Sequence, residues 1–433
     1  MTGQQMLTLQ PALRRHLEAF RDCFRKEVTF DYLETYVVGL MSDIKRKSVE
    51  PIALAAEVPV RTLQEFLSSF VWDNARAELL LHRMVADKRG CGIGVIDGCG
   101  HRKAGRKTPG VRRQWCGETG KVDNCVVGQH LLYTDNDPAN PFGCVLCSDL
   151  FLPEIWDADA ARRKEAKIPE ELHHRVKWRI ALEQVKRAVG NGVRFSYLTF
   201  DEEYGSVPGF WFGLDELGQW GIGETRANLP CWATEPACNS LRAEHAPREV
   251  RNLASHSPVF YKQSWTEVVV KDTTRGRQRW RYKAARVQLP NTRKGHNVPT
   301  DRRYWLIVAE SMATKEVKYF LSNAPESANM LDLLRVAFAR WHIERWFEVA
   351  KQEAGFGDFE VRTYCGLMRH WLCSSIAMFF LSEQTQRLRG EKSTDHDGAG
   401  GRGDQHAGGE DMEDLAAILG GQGENSRVSA IAQ

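Results

Sequence analysis

Residues 91–97 read CGIGVID and residues 195–201 read FSYLTFD. Each is a short apolar run closed by an aspartate, Asp97 in the first and Asp201 in the second. Such runs predict central strands, and each delivers its acid to a strand's C-terminal edge. Between them, GQHLLY (Gly128–Tyr133) and CVLCSDLFL (Cys144–Leu152) predict two further strands, parted by the turn-rich TDNDPANPFG. Residues 170–189 predict an amphipathic helix, with Trp178, Ile180, Ala181, Leu182, Val185 and Val189 on its apolar side. That helix leads into the strand of Asp201. Helix followed by strand is an α/β pattern.

Outward from this centre the character of the chain changes twice. Residues 1–88 read as helical, with Phe30, Leu33, Val37 and Leu40 at helical spacing. Ser48 suits a helix cap with Pro51 in the first turn, and Pro59 parts Ile52–Val58 from Arg61–Trp72. Two short helices with a tight break fit a helix-turn-helix, and equally an ordinary helical hairpin. The expected division is a helical N-terminal DNA-binding region at 1–88, a first part of the core at 89–221 and a β-rich insertion at 222–326. Core helices follow at 327–389. The Gly-, Asp- and Glu-rich tail at 390–433 is expected to be disordered, because it cannot bury enough apolar surface to offset ordering. In that tail only Leu415–Leu419 suits a short helical turn.

With 433 residues, 42% of them hydrophobic, the chain has material for two or three domains and a sizeable core. The net charge of +3 says little about partners, so the distribution of charge matters more. Eleven scattered cysteines and an N-terminus without an apolar core predict reduced thiols in the cytoplasm. The most apolar late segment, Trp371–Leu381, is too short to cross a bilayer and reads as a buried helix.

Carboxylates at strand ends are where α/β sheets gather a site. Magnesium prefers such oxygens and keeps several waters, so two or three acids suffice to hold it. Two ions serve phosphodiester transfer by activating an oxygen nucleophile and neutralising phosphate charge. Asp97 and Asp201 fit this, and Glu344, on a helix after the β-rich segment, supplies a third acid. From the residues alone, Glu348, Asp123, Asp149, Glu202 and Glu203 remain candidates too. Cys144-x-x-Cys147 lacks a second pair at zinc-ribbon spacing, so structural thiols are expected there. His101, His130, His173, His174 and His370 form no metal pattern. The glycines at 98, 100, 105 and 110 match no nucleotide loop.

The segment AFARWHIERWFEVAK resembles the Y-(2)-R-(3)-E-(6)-K signature of insertion-sequence transposases of the DDE class. Arg340, Glu344 and Lys351 fall on its R, E and K, and Ala337 stands at the Tyr position. The block IDGCGHRKAGRKTPGVRRQWCGETGKVDNC is similar to one branch of that class, insertion-sequence family seven-oh-one. Gly98-Cys99 departs from that branch's Asp-Asp-Thr start. LFLPEIW, KWRIALE and LTFDEEYG also resemble its blocks, the last setting the second Asp at Asp201. The resemblance spans roughly residues 30–385. It implies a ribonuclease-H-like catalytic core, and Asp97, Asp201 and Glu344 as catalytic ligands of Mg²⁺, with Mn²⁺ as a substitute. It implies too a β-rich insertion between the second Asp and the Glu. The interval of 143 residues (344 − 201) leaves room for that insertion.

Basic residues gather twice. Arg102, Lys103, Arg106, Lys107, Arg112 and Arg113 lie within residues 102–113 with no acid among them. Residues 271–303 carry Arg277, Arg279 and Arg281 among many cations against Asp272 and Asp301, with Trp280 and Tyr282 interleaved. Both stretches suit a phosphate track. The tryptophans are expected to be core residues, because β-modules bury Trp routinely. Arg340, Glu344 and Lys351 share one helix face, so the two cations are expected to hold a DNA end beside the metals.

The reading implied by the resemblance is a transposase that cleaves and joins double-stranded DNA at element ends. It would work as a homodimer, in the cytoplasm at the nucleoid, away from membranes. Its rivals are a nuclease of the same fold that only cuts, a structural zinc protein, and a catalytically inactive DNA-binding relic or repressor. Gly98-Cys99 and Ala337 speak for the relic, and the survival of all three acids speaks against it.

Overall fold

The computed structural model describes residues 3–137, 140–239, 242–273, 276–293, 296–339 and 341–396. These divide into two compact units. One comprises residues up to Cys91, Gly98–Arg194 and the chain from Ile343. The other comprises Gly92–Asp97 and Phe195–His342. The expected segments 1–88 and 222–326 are therefore not units of their own.

The first unit begins with helices α1 (Gly3–Glu18), α2 (Glu27–Met41), α3 (Val49–Ala55), α4 (Val60–Ser68) and α5 (Asn74–Arg89). Strand β1 (Cys91–Arg102) enters it at Gly98 and lies in a sheet with β2 (Arg112–Cys116), β3 (Lys121–Thr134) and β4 (Gly143–Leu150). There β3 pairs antiparallel with both β2 and β4. Helices α6 (Glu154–Asp157), α7 (Ala160–Glu165) and α8 (Lys177–Gly190) follow. The helix expected from residue 170 starts only at Lys177. Arg163 explains the delay, since its guanidinium binds the carbonyls of Pro169, Glu170 and Leu172 and takes them out of helical pairing.

The second unit holds the first half of β1 beside β5 (Arg194–Phe200). Short helices α9 (Glu202–Gly205) and α10 (Pro208–Glu216) lead to β6 (Gly221–Glu224), which is parallel to β5. Two small ribbons come next: β7 (Pro230–Cys231) pairs with β10 (Arg248–Glu249), and β8 (Cys238–Asn239) with β9 (Arg242–Ala243). After α11 (Val250–His256) and α12 (Pro258–Tyr261) runs an antiparallel meander. It consists of β11 (Thr266–Thr273), β12 (Gly276–Arg293), β13 (His296–Ser311) and β14 (Val317–Ser322). Its last strand joins β6, and the order in this unit is β11-β12-β13-β14-β6-β5-β1. Helix α13 (Met330–Ala339) covers the meander, with Phe338 4.7 Å from Trp280 and 5.4 Å from Phe320, ring to ring. Trp280 is buried, as expected of a β-module tryptophan.

The chain returns to the first unit through α14 (Trp341–Glu353) and ends in α15 (Tyr364–His396). α15 is buried along most of its length, including Trp371–Leu381, because it is the shared core of the helical layer. Tyr36 of α2 donates to His370 Nδ1 at 2.8 Å, and His370 Nε2 donates to Gly355 O at 3.0 Å. Arg369 reaches the end of α4 and donates to the carbonyls of Phe66, Leu67, Phe70 and Trp72. The expected disorder from residue 390 is corrected as far as His396, where α15 ends; residues 397–433, with Leu415–Leu419, lie outside the described residues. Among the described residues no helix is long and apolar enough to cross a membrane.

Candidate functional site

The two aspartates sit on neighbouring strands of the second unit. Ser196 Oγ donates to Gly92 O at 3.0 Å. A Cβ built on Gly94 would lie 2.4 Å from Leu198, so the side chain of Leu198 fills the place where Gly94 has none. Phe195 lies against the same position at 2.8 Å, so β1 and β5 pack closely as neighbours in the sheet.

Asp201 follows the last residue of β5 as expected, and it is half-buried. Its carboxylate accepts from Glu203 N at 2.9 Å and so caps α9. Asp97 is half-buried as well, but its setting needs a correction. It does not end its strand, because β1 continues to Arg102. GCGHR lacks the β-branched residues that announce a strand, and the extension is held by tertiary pairing beside β3, with Lys103 N donating to Asn124 O at 2.8 Å.

Glu344 lies on α14, whose end is firmly fastened. Gly355 takes the left-handed conformation (φ 59°), and Phe356 N returns to Ala350 O at 3.0 Å. The Lys47 ammonium donates to the last carbonyls, Gln352 O at 2.6 Å and Glu353 O at 3.1 Å. The side chain of Glu344 and the whole of Arg340 lie outside the described residues. Glu348, the rival acid, is exposed and has Gln352 Nε2 at 3.5 Å. Lys351 is half-buried, and its ammonium is within hydrogen-bonding reach of the Cys99 thiol.

The expected cations differ in what they have left to offer. Arg106, Arg112 and Arg113 are exposed, with no carboxylate partner among the described residues. Arg102 pairs with Asp123 at 3.4 Å, and Lys107 with Glu165 at 2.7 Å, both at the surface. Lys103 is committed elsewhere. Its ammonium donates to Gly357 O at 2.9 Å and Phe359 O at 2.8 Å and lies over the Phe359 ring. Burial pushes its pKa down to about 8. In the meander, Arg279 pairs with Glu267 and Arg281 with Glu310, while the side chain of Arg277 lies outside the described residues. The few acids within residues 271–303 gave no warning of these partners, which come from the strands on either side.

Among the described residues one trio brings metal-type ligands together: Glu78, His82 and Cys147. Its atoms are already engaged. His82 Nε2 lies 3.1 Å from Leu146 O, and its Nδ1 lies 2.9 Å from Asn191 Nδ2. The Arg187 guanidinium fills the place of a cation, at 3.2 Å from Glu78 and 2.6 Å from Asp149. Burial holds the Cys147 thiol far above its usual range, away from the thiolate a metal needs. The trio is a hydrogen-bonded core, in keeping with structural thiols at Cys144 and Cys147.

Residues 19–292 match the family described as DDE superfamily endonuclease. The probable transposase for insertion sequence element IS701 from Microchaete diplosiphon is 29% identical over 359 residues, 80% of each protein. Among solved structures, a piggyBac transposase synaptic complex with hairpin DNA aligns over 100% of this chain and 80% of that one, at 9% identity and a TM-score of 0.39. The chain belongs to the DDE superfamily of endonucleases.

Proposed function

We propose that this protein is an active DNA transposase that cleaves and rejoins element-end DNA by metal-dependent phosphodiester transfer on a ribonuclease-H-like core. The observation that carries the reading is that β1 and the strand preceding Asp201, β5, are neighbours in one sheet, in a chain of the DDE superfamily. The resemblance to the transposase signature assigns Glu344 as the third carboxylate. The donor set fits Mg²⁺ or Mn²⁺: all three are hard oxygen ligands, and half-buried aspartates leave room for the waters magnesium retains. When bound, the ions supply charge stabilisation to the reacting phosphate.

The protein's own residues then position the DNA. The hydrogen bond from Glu203 N fixes the orientation of the Asp201 carboxylate. Arg106, Arg112 and Arg113 are free to meet phosphates, and Arg102 and Lys107 can exchange surface carboxylates for them. Lys351, seven residues after Glu344 on α14, and Arg340, assigned by the spacing of the transposase signature, hold the cleaved end. Arg277, Arg279 and Arg281 of the meander offer a second set of phosphate contacts. Water attacks the phosphodiester at each element end and breaks its bond to the element's 3′ oxygen, and the 3′-OH released there attacks a target phosphodiester and displaces the target's own 3′ oxygen, which leaves as a hydroxyl. Two ends must be cut together, so a homodimer on double-stranded DNA is the working form, in the cytoplasm at the nucleoid.

The test uses the terminal repeats found in the DNA that flanks the gene. With Mg²⁺, the protein should nick and join duplexes carrying those ends, and Asp97→Asn, Asp201→Asn and Glu344→Gln should each abolish both steps while DNA binding persists. Binding without cleavage in the unaltered protein would establish the inactive relic instead. Cleavage without joining would establish a nuclease.

A further inference from the structure

Trp115 is out of place for its residue type. It is 64% exposed on β2, and its cross-strand neighbour Val122 is 52% exposed. Strand alternation explains the geometry: Cys116 faces the interior, so Trp115 and Arg113 face outward together, opposite Val122 and Asn124. The basic loop is bound to this same ribbon. Asn124 Nδ2 donates to Lys103 O at 2.6 Å and Gly105 O at 2.9 Å, and Asn124 O accepts from Lys103 N. Arg106 thereby follows a residue tied to Asn124, the cross-strand neighbour of Arg113. The local acids have partners of their own: the exposed Glu118 accepts from Arg102 N, and Asp123 accepts from Asn124 N and pairs with Arg102. On the face of the exposed indole Arg113 remains with no carboxylate partner among the described residues, and Arg106 on the adjoining loop is exposed and likewise without one.

We propose that the β2–β3 hairpin is a DNA-contacting finger on which Trp115 stacks an unpaired base while Arg113, on the same face, and Arg106, on the adjoining loop, hold the flanking phosphates. The occupant follows from the charge: exposed guanidinium groups without a carboxylate partner among the described residues call for a polyanion, and the flat apolar ring beside Arg113 calls for one that carries π-faces. This rests on the DNA-processing reading above, since frayed bases at cleaved ends offer such faces. A tryptophan placed only to steady the hairpin through Val122 would be equally served by a β-branched residue.

That difference sets the experiment. Affinity of the full-length protein is measured for a forked duplex with an unpaired arm and for a fully paired duplex of the same length. Trp115→Ile keeps the cross-strand packing and removes the ring, and it should lower affinity for the forked duplex roughly tenfold and for the paired duplex less than about twofold. Trp115→Phe should stay within about threefold of the unaltered protein on both. Equal losses on both duplexes, or no loss on either while DNA binding is intact, would overturn the stacking role and leave the DNA reading standing. A change of oligomeric state with unchanged DNA affinity would assign the ring to a contact between copies and overturn it likewise. An unaltered protein that binds neither duplex would remove the DNA reading, and this inference with it.

Discussion

At the level of single residues, Asp201 has two tasks that substitution can separate. Its carboxylate is a proposed metal ligand, and it caps α9 through Glu203 N. Asparagine caps a helix about as well as aspartate, whereas alanine costs about 1 kcal/mol. Asp201→Asn should therefore leave the melting temperature unchanged and Asp201→Ala should lower it, with DNA cleavage lost in both. Cleavage retained by Asp201→Asn would show that the cap is the whole role. The two aspartates were legible in the sequence because an apolar run closed by an acid is a local signal. The fate of the cations was not. Lys103 and Lys351 look like any other basic residue in sequence, yet one is buried against the Gly357 and Phe359 carbonyls and the other reaches Cys99. Their partners lie hundreds of residues away along the chain, and burial of an ammonium depends on tertiary packing alone. Trp115 was hidden for the same reason, since nothing local distinguishes an outward tryptophan from an inward one.

Among elements, two helix ends are fastened by cations from distant segments. Arg369 donates to four carbonyls in the last turn of α4 and just after it, and its guanidinium lies 4.4 Å from the Trp72 ring. Arg369→Met should cost about 3 kcal/mol, because it leaves buried carbonyls without donors. Chemical denaturation measures this, and a loss below about 1 kcal/mol would mean that water replaces the guanidinium. Helix breaks at Pro59 and strands at residues 128–133, 144–152 and 195–200 were readable from apolar periodicity and turn residues. The extension of β1 past Asp97 and the late start of α8 were not, because pairing beside β3 and the reach of Arg163 are non-local. In the meander, Arg279 meets Glu267 at the surface, a pair that contributes little to stability. If it serves DNA, Arg279→Ala should reduce the salt dependence of binding by about one unit of slope. An unchanged slope would return that strand to solvent.

Over the whole molecule, burial of histidine makes acid the natural denaturant. Burial pulls His16 and His82 down to about 4 and His130 and His370 to about 3, with His101 also well below its ordinary value. The folded chain keeps these rings neutral while the unfolded chain protonates them near 6.5. Their contribution is thus fully present above about pH 6.5, and it is lost as pH falls toward their folded values, by up to about 1.4 kcal/mol per ring per pH unit. Melting temperatures should be level from pH 8 to 7 and fall steeply below 6; a flat profile down to pH 5 would mean that the rings have access to solvent protons. Such a margin matters little to an enzyme at neutral pH, where the question is whether three carboxylates from separate stretches of the chain act as one centre. The most direct measurement is Mn²⁺ binding to the full-length protein, followed by electron paramagnetic resonance or calorimetry without DNA cleavage as the readout. Asp97→Asn, Asp201→Asn and Glu344→Gln should each weaken binding, and Glu348→Gln should leave it unchanged. Normal binding by Glu344→Gln together with loss in Glu348→Gln, or no Mn²⁺ binding by the unaltered protein, would contradict the account.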